Sequence, residues 1–298
     1  MEEVVRADGS RRRSSVTRRL AAAAAALLLL VGIAGVIAVQ TVPEFILFNK
    51  RLALNLYEFK GSIDFQPLDL KTYDGLTMRS WYYPPAPGNP VIVYFPGRDG
   101  DLVRKPSHLF QLAEQGYGLT LAGYRGYGGN PGNPSEWLLY RDATTLLGTL
   151  ADERLAPDGV VIYGYSMGTG VASYAATQVQ PRALVLEGPF TSLPDAIHRQ
   201  VPSVPSWLIR SRFDTEARIR DIHVPILLLA GENDMVTPPT FAEALAVLSK
   251  GVSQLQILSN ASHLDMYRHG ALDAVADFLL RLTGMSDAGT AAGPELSL

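Results

Sequence analysis

The chain has 298 residues, a hydrophobic fraction of 47 %, a charged fraction of 18 % and no cysteine, so it can form one large α/β domain or two small ones, but no disulfide, thiolate metal site or cysteine nucleophile. Its formal net charge of −3 is uneven, because residues 1–19 hold six of the 26 basic and three of the 29 acidic residues. The remaining chain therefore has a charge of −6, which excludes the basic composition typical of nucleic-acid-binding proteins.

An apolar segment follows the basic N-terminus. No charged or strongly polar residue occurs from Leu20 to Val39, about the length that a helix needs to cross the hydrocarbon core of a bilayer. The preceding arginines predict that residues 1–19 stay in the cytoplasm, that residues 20–42 form a transmembrane anchor, and that the rest of the chain is extracytoplasmic. A signal peptide cleaved after Ala38 is the alternative, although such apolar cores run about 7–15 residues.

Residues 43–61 form a juxtamembrane segment in which aromatic and aliphatic side chains are mixed irregularly with charged ones. Two interpretations remain open for it, an amphipathic stretch lying on the bilayer or a helical extension packed on the following domain. We expect the folded domain to span residues 62–284. A disordered tail is expected over 285–298, where Gly, Ser, Ala and Pro dominate.

Apolar runs alternate with helical segments through the domain, which predicts a mostly parallel sheet with helices on both faces after an antiparallel entry pair. The predicted strands cover 63–70, 76–83, 91–95, 119–123, 160–163, 183–186, 225–230 and 254–258. The predicted helices cover 107–115, 135–151, 168–179, 240–249 and 271–282. The long connection at about 188–223, rich in proline and arginine, is interpreted as a short cap over the sheet.

The fifth predicted strand runs directly into Gly164-Tyr165-Ser166-Met167-Gly168, the Gly-x-Ser-x-Gly pattern of a nucleophile elbow. The turn from strand to helix is so tight that a Cβ at either glycine should clash, and the serine should adopt a strained backbone conformation. That geometry presents the hydroxyl to a base on one side and to a substrate carbonyl on the other. Ser166 is therefore the predicted nucleophile.

A serine hydroxyl needs a base to remove its proton, and in this architecture the acid and then the base follow the serine along the chain. Of the five histidines, only His263 and His269 follow the last predicted strands. His263 lies in a polar loop after the strand that ends near Leu258, where the base is expected. His269 lies at a helix entry and is expected to be a solvated surface residue.

A carboxylate just beyond the end of a parallel strand lies on the rim where sites form in open α/β sheets. Asp234 has that position after the seventh predicted strand and is the predicted acid. Glu232 is expected to be a solvated loop residue, and Glu187 is a substitute for the same role. Asp265 has two interpretations, a support for the loop of His263 or an N-cap of the helix that follows.

Two backbone N–H groups should stabilise the oxyanion that develops on the substrate. One is predicted to belong to Met167, at the N-terminus of the helix after the elbow. The other should come from the loop after the third strand, where Arg98 is the candidate because Pro96 has no N–H. The Arg98 side chain is expected either to bind an anionic substrate or to pair with Asp99 or Asp101.

These motifs together resemble the serine-aminopeptidase and depalmitoylase-like branch of the α/β-hydrolase superfamily, which is largely esterase-like. The resemblance runs from about Leu70 to Leu282. It also rests on Tyr124-Arg125-Gly126-Tyr127-Gly128, on Glu187-Gly188-Pro189-Phe190-Thr191-Ser192, and on Gly231-Glu232-Asn233-Asp234. One departure is Pro96-Gly97, where that branch often has His-Gly before the oxyanion residue.

The resemblance implies an α/β-hydrolase fold and a Ser166-Asp234-His263 triad that needs no cofactor and no metal. We therefore expect a membrane-anchored serine hydrolase that cleaves a carboxylic ester or thioester through an acyl-enzyme. A serine aminopeptidase or acyltransferase on the same fold is one alternative, and a catalytically silent binding module with this fold is another. The expected partners are a small-molecule, acylated or lipid ester substrate and, through the N-terminal helix, the membrane.

Overall fold

The computed structural model describes residues 19, 22–33, 35, 47–48, 63–251 and 253–290, with side chains up to residue 282. Residues 22–33 are helical, and no helix within these ranges is long and apolar enough to cross a membrane. The other residues of the predicted anchor, 20–42, lie outside the described residues except residue 35. Of the juxtamembrane segment, Leu47 and Phe48 are described, and both are buried in the apolar cluster on one face of the sheet.

Eight strands form one sheet in the order β1-β2-β4-β3-β5-β6-β7-β8. They are β1 (Gln66–Lys71), β2 (Thr77–Tyr83), β3 (Val91–Phe95), β4 (Gly118–Leu121), β5 (Val160–Tyr165), β6 (Ala183–Glu187), β7 (Ile226–Gly231) and β8 (Ser253–Leu258). β2 pairs antiparallel with both β1 and β4, and the other neighbours pair parallel. The predicted strands and the mostly parallel sheet are confirmed, with strand ends shifted by a few residues.

Helices connect the strands and cover both faces of the sheet. They are α1 (Ser107–Glu114), α2 (Glu136–Asp152), α3 (Met167–Gln178), α4 (Leu193–Gln200), α5 (Thr215–Ile219), α6 (Pro239–Leu248) and α7 (Ala271–Thr290). The five helices predicted individually correspond to α1, α2, α3, α6 and α7. Within the described residues, the 3-10 turns Ser206–Leu208 and Met266–Arg268 lie in the loops.

The central strands are apolar on both faces, as expected for parallel strands covered by helices. In β3, Val91, Val93 and Phe95 face one apolar cluster while Ile92 and Tyr94 face the other, and all five are at most 1 % exposed. Side chains of α2 and α3 belong to the first cluster, and those of α1 and α7 belong to the second. The sheet is therefore a packed platform whose C-terminal edge can position a site.

The connection at about 188–223 contains α4, a 3-10 turn and α5. Glu136, the first residue of α2, accepts backbone N–H groups of Arg212 and Phe213 at 2.6 and 2.7 Å. Phe213 is fully buried with φ 39°. It packs closely on Gly170, since a Cβ added to Gly170 would lie 2.6 Å from the Cβ of Phe213. These contacts fasten this segment to α2 and to α3, the helix that follows the elbow.

The last helix is longer than predicted. α7 continues to Thr290, six residues into the segment 285–298 for which a disordered tail is expected. Residues 285–290 contain no proline, and a glycine such as Gly289 disfavours a helix by only about 1 kcal/mol relative to alanine. A helix anchored by the apolar face of its first turns can therefore continue through them. Residues 291–298 lie outside the described residues.

Candidate active site

Ser166 lies at the turn between β5 and α3 with φ 51° and ψ −119°. Positive φ is rare for a residue with a side chain, so this conformation is strained, as expected at a nucleophile elbow. The neighbouring strand holds the turn in place, because the Ser166 N–H donates to the Glu187 carbonyl at the end of β6 at 2.8 Å. The strain is therefore maintained by a backbone hydrogen bond of the sheet.

The two glycines of the elbow are required by close backbone contacts. A Cβ at Gly164 would lie 2.5 Å from the carbonyl oxygen of Gly168. A Cβ at Gly168 would lie 2.0 Å from the carbonyl oxygen of Phe95, at the end of β3. Real side chains do not approach this closely in a close-packed interior. Both glycines thus have the steric role that the sequence predicts for them.

The structure brings Ser166, His263 and Asp234 together from three separate loops at the C-terminal edge of the sheet. His263 Nε2 lies 2.8 Å from Ser166 Oγ, and His263 Nδ1 lies 2.7 Å from Asp234 Oδ2. His263 is 7 % exposed and Asp234 is 2 % exposed, so both are largely removed from water. His269 is not part of this arrangement, since its Nε2 lies 3.7 Å from Asp265 instead.

These distances are compatible with one tautomer of His263 in a resting triad. Asp234 can only accept a hydrogen bond when ionised, so Nδ1 of His263 carries the hydrogen and donates it. Nε2 then presents its lone pair to the hydroxyl of Ser166. This is the tautomer that a general base needs.

Asp234 is oriented by its own loop. Its Oδ1 accepts the backbone N–H groups of Val236 and Thr237, each at 2.8 Å, which leaves Oδ2 directed at His263. Glu232, the neighbouring carboxylate that the sequence assigns to solvent, is exposed and accepts the Asn260 N–H at 2.9 Å. The two carboxylates after β7 therefore have different roles, and Asp234 is the one at the histidine.

The expected oxyanion donors lie on two sides of the elbow. Met167 is the first residue of α3, so its N–H belongs to the first turn, where helical N–H groups have no partner within the helix. The loop after β3 reaches the elbow through Gly97, where a Cβ would lie 3.4 Å from Ser166 Cβ. The Arg98 N–H, one residue further along this loop, remains the predicted second donor.

The predicted pairing of the Arg98 side chain with a local carboxylate is wrong. Asp99 pairs with Lys105 at 2.5 Å, and Asp101 accepts from Arg104 at 3.3 Å. The Arg98 side chain is exposed, while its carbonyl oxygen accepts the Tyr127 hydroxyl at 3.0 Å. The carboxylates of Asp99 and Asp101 therefore pair with basic residues that follow them in the chain.

Asp265 supports the loop of His263. Its Oδ1 accepts both the backbone N–H and the hydroxyl of Ser262 at 2.7 Å, and these hydrogen bonds lower the pKa of the Asp265 carboxyl. It precedes the 3-10 turn Met266–Arg268 without making a side-chain capping bond. Of the two interpretations left open by the sequence, the structure therefore favours loop support.

Glu187 does not replace Asp234. Its carboxylate accepts the Tyr163 hydroxyl at 2.7 Å, and Tyr163 is in turn 3.0 Å from Nε2 of the buried His108. Burial raises the pKa of Glu187 to about 7, against the lowering effect of the Tyr163 hydrogen bond. The sequence indicates an acidic residue at the end of β6, but it does not indicate the buried hydrogen-bonded series of Glu187, Tyr163 and His108.

Thr237 is a residue of the site that the sequence does not indicate. It is 2 % exposed, and its hydroxyl lies 2.9 Å from Asp234 Oδ2 and 3.1 Å from His263 Nδ1. Its only signal in the sequence is its place three residues after the predicted acid. Threonine is common in loops after strands, so that place alone does not distinguish it.

Comparison with known proteins places this geometry in context. A profile of the family described as serine aminopeptidase, S33, matches residues 88–214. An uncharacterised protein of Mycobacterium tuberculosis is 32 % identical over 217 residues, which cover 70 % of this chain and 77 % of that protein. The lysophosphatidylserine lipase ABHD12 of Danio rerio is 30 % identical over 209 residues, which cover 61 % of this chain and 54 % of that protein.

Solved structures share the architecture. The esterase Pf2001 of Pyrococcus furiosus superposes with a TM-score of 0.60 at 18 % identity, covering 74 % of this chain and 91 % of the esterase. At this identity the similarity shows the α/β-hydrolase fold alone.

Proposed function

The chain belongs to the serine aminopeptidase S33 family of the α/β-hydrolase superfamily, and on that premise we propose that it is a serine hydrolase that cleaves a carboxylic ester or thioester through an acyl-enzyme. The observation that carries this proposal is the hydrogen-bonded series from Ser166 through His263 to Asp234, with distances of 2.8 and 2.7 Å. A nucleophile, a base and an orienting acid at these distances are what acyl transfer requires.

In the acylation step, His263 Nε2 removes the proton of Ser166 Oγ while Oγ attacks the carbonyl carbon of the substrate. The negative charge develops on the carbonyl oxygen, toward which the N–H groups of Met167 and Arg98 are proposed to donate. The imidazolium then gives its proton to the leaving alcohol or thiol, and an ester of Ser166 remains. Asp234 stabilises the positive charge on the imidazole meanwhile.

In the deacylation step, a water molecule takes the place of the leaving group. His263 Nε2 removes a proton from this water, and its oxygen attacks the acyl carbon. Ser166 Oγ leaves and takes the proton from the imidazolium, which regenerates the free enzyme and releases a carboxylic acid. The same histidine is thus base and acid in both halves of the reaction.

We propose that the substrate is an amphiphilic acyl ester. Met235 and Leu264, which directly follow Asp234 and His263, are 77 % and 62 % exposed. Exposed apolar side chains beside a site favour contact with acyl chains or with a lipid–water interface. The name of the Danio rerio relative, a lysophosphatidylserine lipase, supports a lipid ester as the substrate class.

We further propose that residues 20–42 anchor the protein in a membrane with residues 1–19 in the cytoplasm and the hydrolase domain on the other side. The support comes from the sequence, namely an uncharged apolar run preceded by six arginines. An anchored domain stays close to the bilayer. That location would suit a substrate that partitions into lipid.

A substrate panel tests the proposed reaction. The full-length protein, purified in detergent, is assayed with p-nitrophenyl esters of short, medium and long acyl chains, with an acyl thioester and with an aminoacyl p-nitroanilide. We expect hydrolysis of the esters and the thioester, with a preference for medium or long chains, and loss of activity in Ser166→Ala. Both classes of scissile bond are needed, because the triad by itself serves esters and amides.

The alternatives give different results in the same panel. Faster cleavage of the aminoacyl anilide than of any ester would indicate an aminopeptidase. Transfer of the acyl group to an added alcohol in preference to water would indicate an acyltransferase. A correctly folded protein that cleaves none of these substrates would contradict the proposal and favour a binding module.

A further inference from the structure

The hydroxyl of Thr237 contacts both the base and the acid of the triad. Thr237 lies between β7 and α6, is 2 % exposed, and directs Oγ1 toward three polar groups. The distances from Oγ1 are 2.9 Å to Asp234 Oδ2, 3.1 Å to His263 Nδ1 and 3.1 Å to the carbonyl oxygen of Gly188. These groups come from three different loops, those that follow β6, β7 and β8.

A count of hydrogens limits what this hydroxyl can do. It has one hydrogen to donate and two lone pairs to accept with. The Gly188 carbonyl and the Asp234 carboxylate only accept, so the single hydrogen serves one of them at a time, and donation to Gly188 is the arrangement that links the triad to that loop. In the catalytic tautomer, Nδ1 of His263 carries a hydrogen. This N–H donates mainly to Asp234, and a lone pair of Thr237 Oγ1 is a second acceptor beside it.

The Gly188 carbonyl connects this hydroxyl to the nucleophile. Gly188 has φ 60°, and a Cβ there would lie 3.2 Å from Cε1 of the His263 ring, so the imidazole packs directly on this glycine. The preceding residue, Glu187, accepts the Ser166 N–H through its carbonyl oxygen at 2.8 Å. One short stretch of backbone after β6 therefore contacts the nucleophile and, through Thr237, the acid and the base.

We propose that Thr237 is a positioning residue of the triad, whose hydroxyl fixes the Asp234–His263 pair against the backbone of Gly188 and so keeps Nε2 aligned with Ser166 Oγ. This inference rests on the proposed serine hydrolase function. Without the hydroxyl, the Asp234 loop keeps the two backbone hydrogen bonds to Oδ1, but the pair loses its attachment to the Gly188 loop. Small displacements of a catalytic group cost up to about 100-fold in rate.

The test compares Thr237→Val, which removes the hydroxyl at nearly constant volume, with Thr237→Ser, which restores it. We expect Thr237→Val to lower kcat by about 10-fold to 100-fold with KM changed less than about twofold. Thr237→Ser should recover to within about threefold of the wild type. The rate of Ser166 phosphonylation by a fluorophosphonate should follow kcat, because it reports activation of the serine without a bound acyl substrate.

Thr120→Val is the matched control. Thr120 is a fully buried threonine of β4 whose hydroxyl has no hydrogen-bond partner within the described part of the chain. The same substitution there should leave kcat unchanged, which separates loss of the Thr237 hydroxyl from a general effect of replacing a buried threonine.

The outcomes separate this inference from the proposed function. An inactive, unlabelled wild type would contradict the proposed function. An active wild type with kcat of Thr237→Val within twofold of it would overturn the positioning role. If Thr237→Val does not fold, Thr237→Cys, which keeps a weak hydrogen-bonding group of similar size, replaces it. The kcat of Thr237→Cys should lie below that of Thr237→Ser, because the thiol is a weaker hydrogen-bonding group, and wild-type kcat in it would overturn the role equally.

Discussion

At the scale of single residues, Glu187 combines a buried carboxyl group with a position directly behind the nucleophile. Glu187 is 2 % exposed, and its backbone carbonyl accepts the Ser166 N–H. Within the described residues, its side chain accepts one hydrogen bond, from the Tyr163 hydroxyl. A carboxyl group with so few hydrogen-bond partners is costly to ionise in an apolar interior. The residue is therefore uncharged over much of the acidic range in the folded protein.

The folding stability should depend on pH through Glu187. Its pKa is raised from 4.5 to about 7 by burial, so between these values the unfolded chain releases the proton first and rising pH favours unfolding. The effect is absent below pH 4.5, complete above about pH 7, and worth about 3 kcal/mol. Glu187→Gln should therefore gain that much stability relative to the wild type as the pH rises, measured by urea unfolding at several pH values.

A variant-to-wild-type difference in unfolding free energy that stays constant across this pH range would contradict the raised pKa. The amide keeps an oxygen that can accept the Tyr163 hydroxyl, so the substitution changes the titration and preserves the contact. Glu232→Gln, at an exposed carboxylate, serves as the control and should show no comparable dependence.

The sequence is sufficient to predict that Ser166, Asp234 and His263 lie together, because a nucleophile elbow restricts the serine locally and the fold restricts the order of its partners. It is not sufficient for Thr237 or for the surroundings of Glu187. Thr237 acts through Gly188, 49 positions away, and Glu187 through Tyr163, 24 positions away. Contacts between loops of different strands leave no local pattern in one sequence.

At the scale of elements, the strand–turn–helix unit of β5, the elbow and α3 should be the least tolerant of added volume. A Cβ at Gly168 would lie 2.0 Å from the Phe95 carbonyl oxygen, which is backbone and cannot turn away. We expect Gly168→Ala to displace α3 from β3, destabilise the protein by several kcal/mol and abolish esterase activity. Thermal unfolding and a short-chain ester assay measure the two effects.

Gly148→Ala is the control within α2. A Cβ there meets nothing within 4 Å, and alanine favours a helix by about 1 kcal/mol over glycine. This variant should be equal to or more stable than the wild type and fully active. Wild-type activity in Gly168→Ala would contradict the packing described for the elbow.

The predicted elements agree with the structure where local signals are strong, and differ where tertiary contacts decide. The buried run of β3 was predicted with the ends that the structure gives it, because its apolar run is short and bounded by turn residues. The helices α4 and α5 were not predicted individually. Both helices are short. Their segment is held by contacts such as those of Glu136 with Arg212 and Phe213, and the periodicity of the segment itself does not indicate these contacts.

At the scale of the whole molecule, the proposed membrane topology can be tested directly, because the chain has no cysteine. Single cysteines are introduced at Ser14 and at Val247, a residue of α6 that is 84 % exposed. In intact cells an impermeant maleimide should label Val247→Cys, whereas Ser14→Cys should be labelled only after lysis. Arginines before an apolar span favour this orientation.

Other labelling patterns would revise the topology. Label on Val247→Cys only after lysis would place the hydrolase domain in the cytoplasm and contradict the proposal. Absence of the Ser14 cysteine from the mature chain, with Val247→Cys labelled and released from the membrane fraction, would support the cleaved signal peptide instead of the anchor.

The central claim is that Ser166 is an activated nucleophile, and covalent labelling by a fluorophosphonate tests it most directly. The full-length protein is reacted with the probe and the modified peptide is identified by mass spectrometry. We predict one adduct, on Ser166, absent from Ser166→Ala and retained in Ser173→Ala, which alters a serine within α3. A folded wild-type protein that remains unlabelled, or an adduct that persists in Ser166→Ala, would contradict the claim.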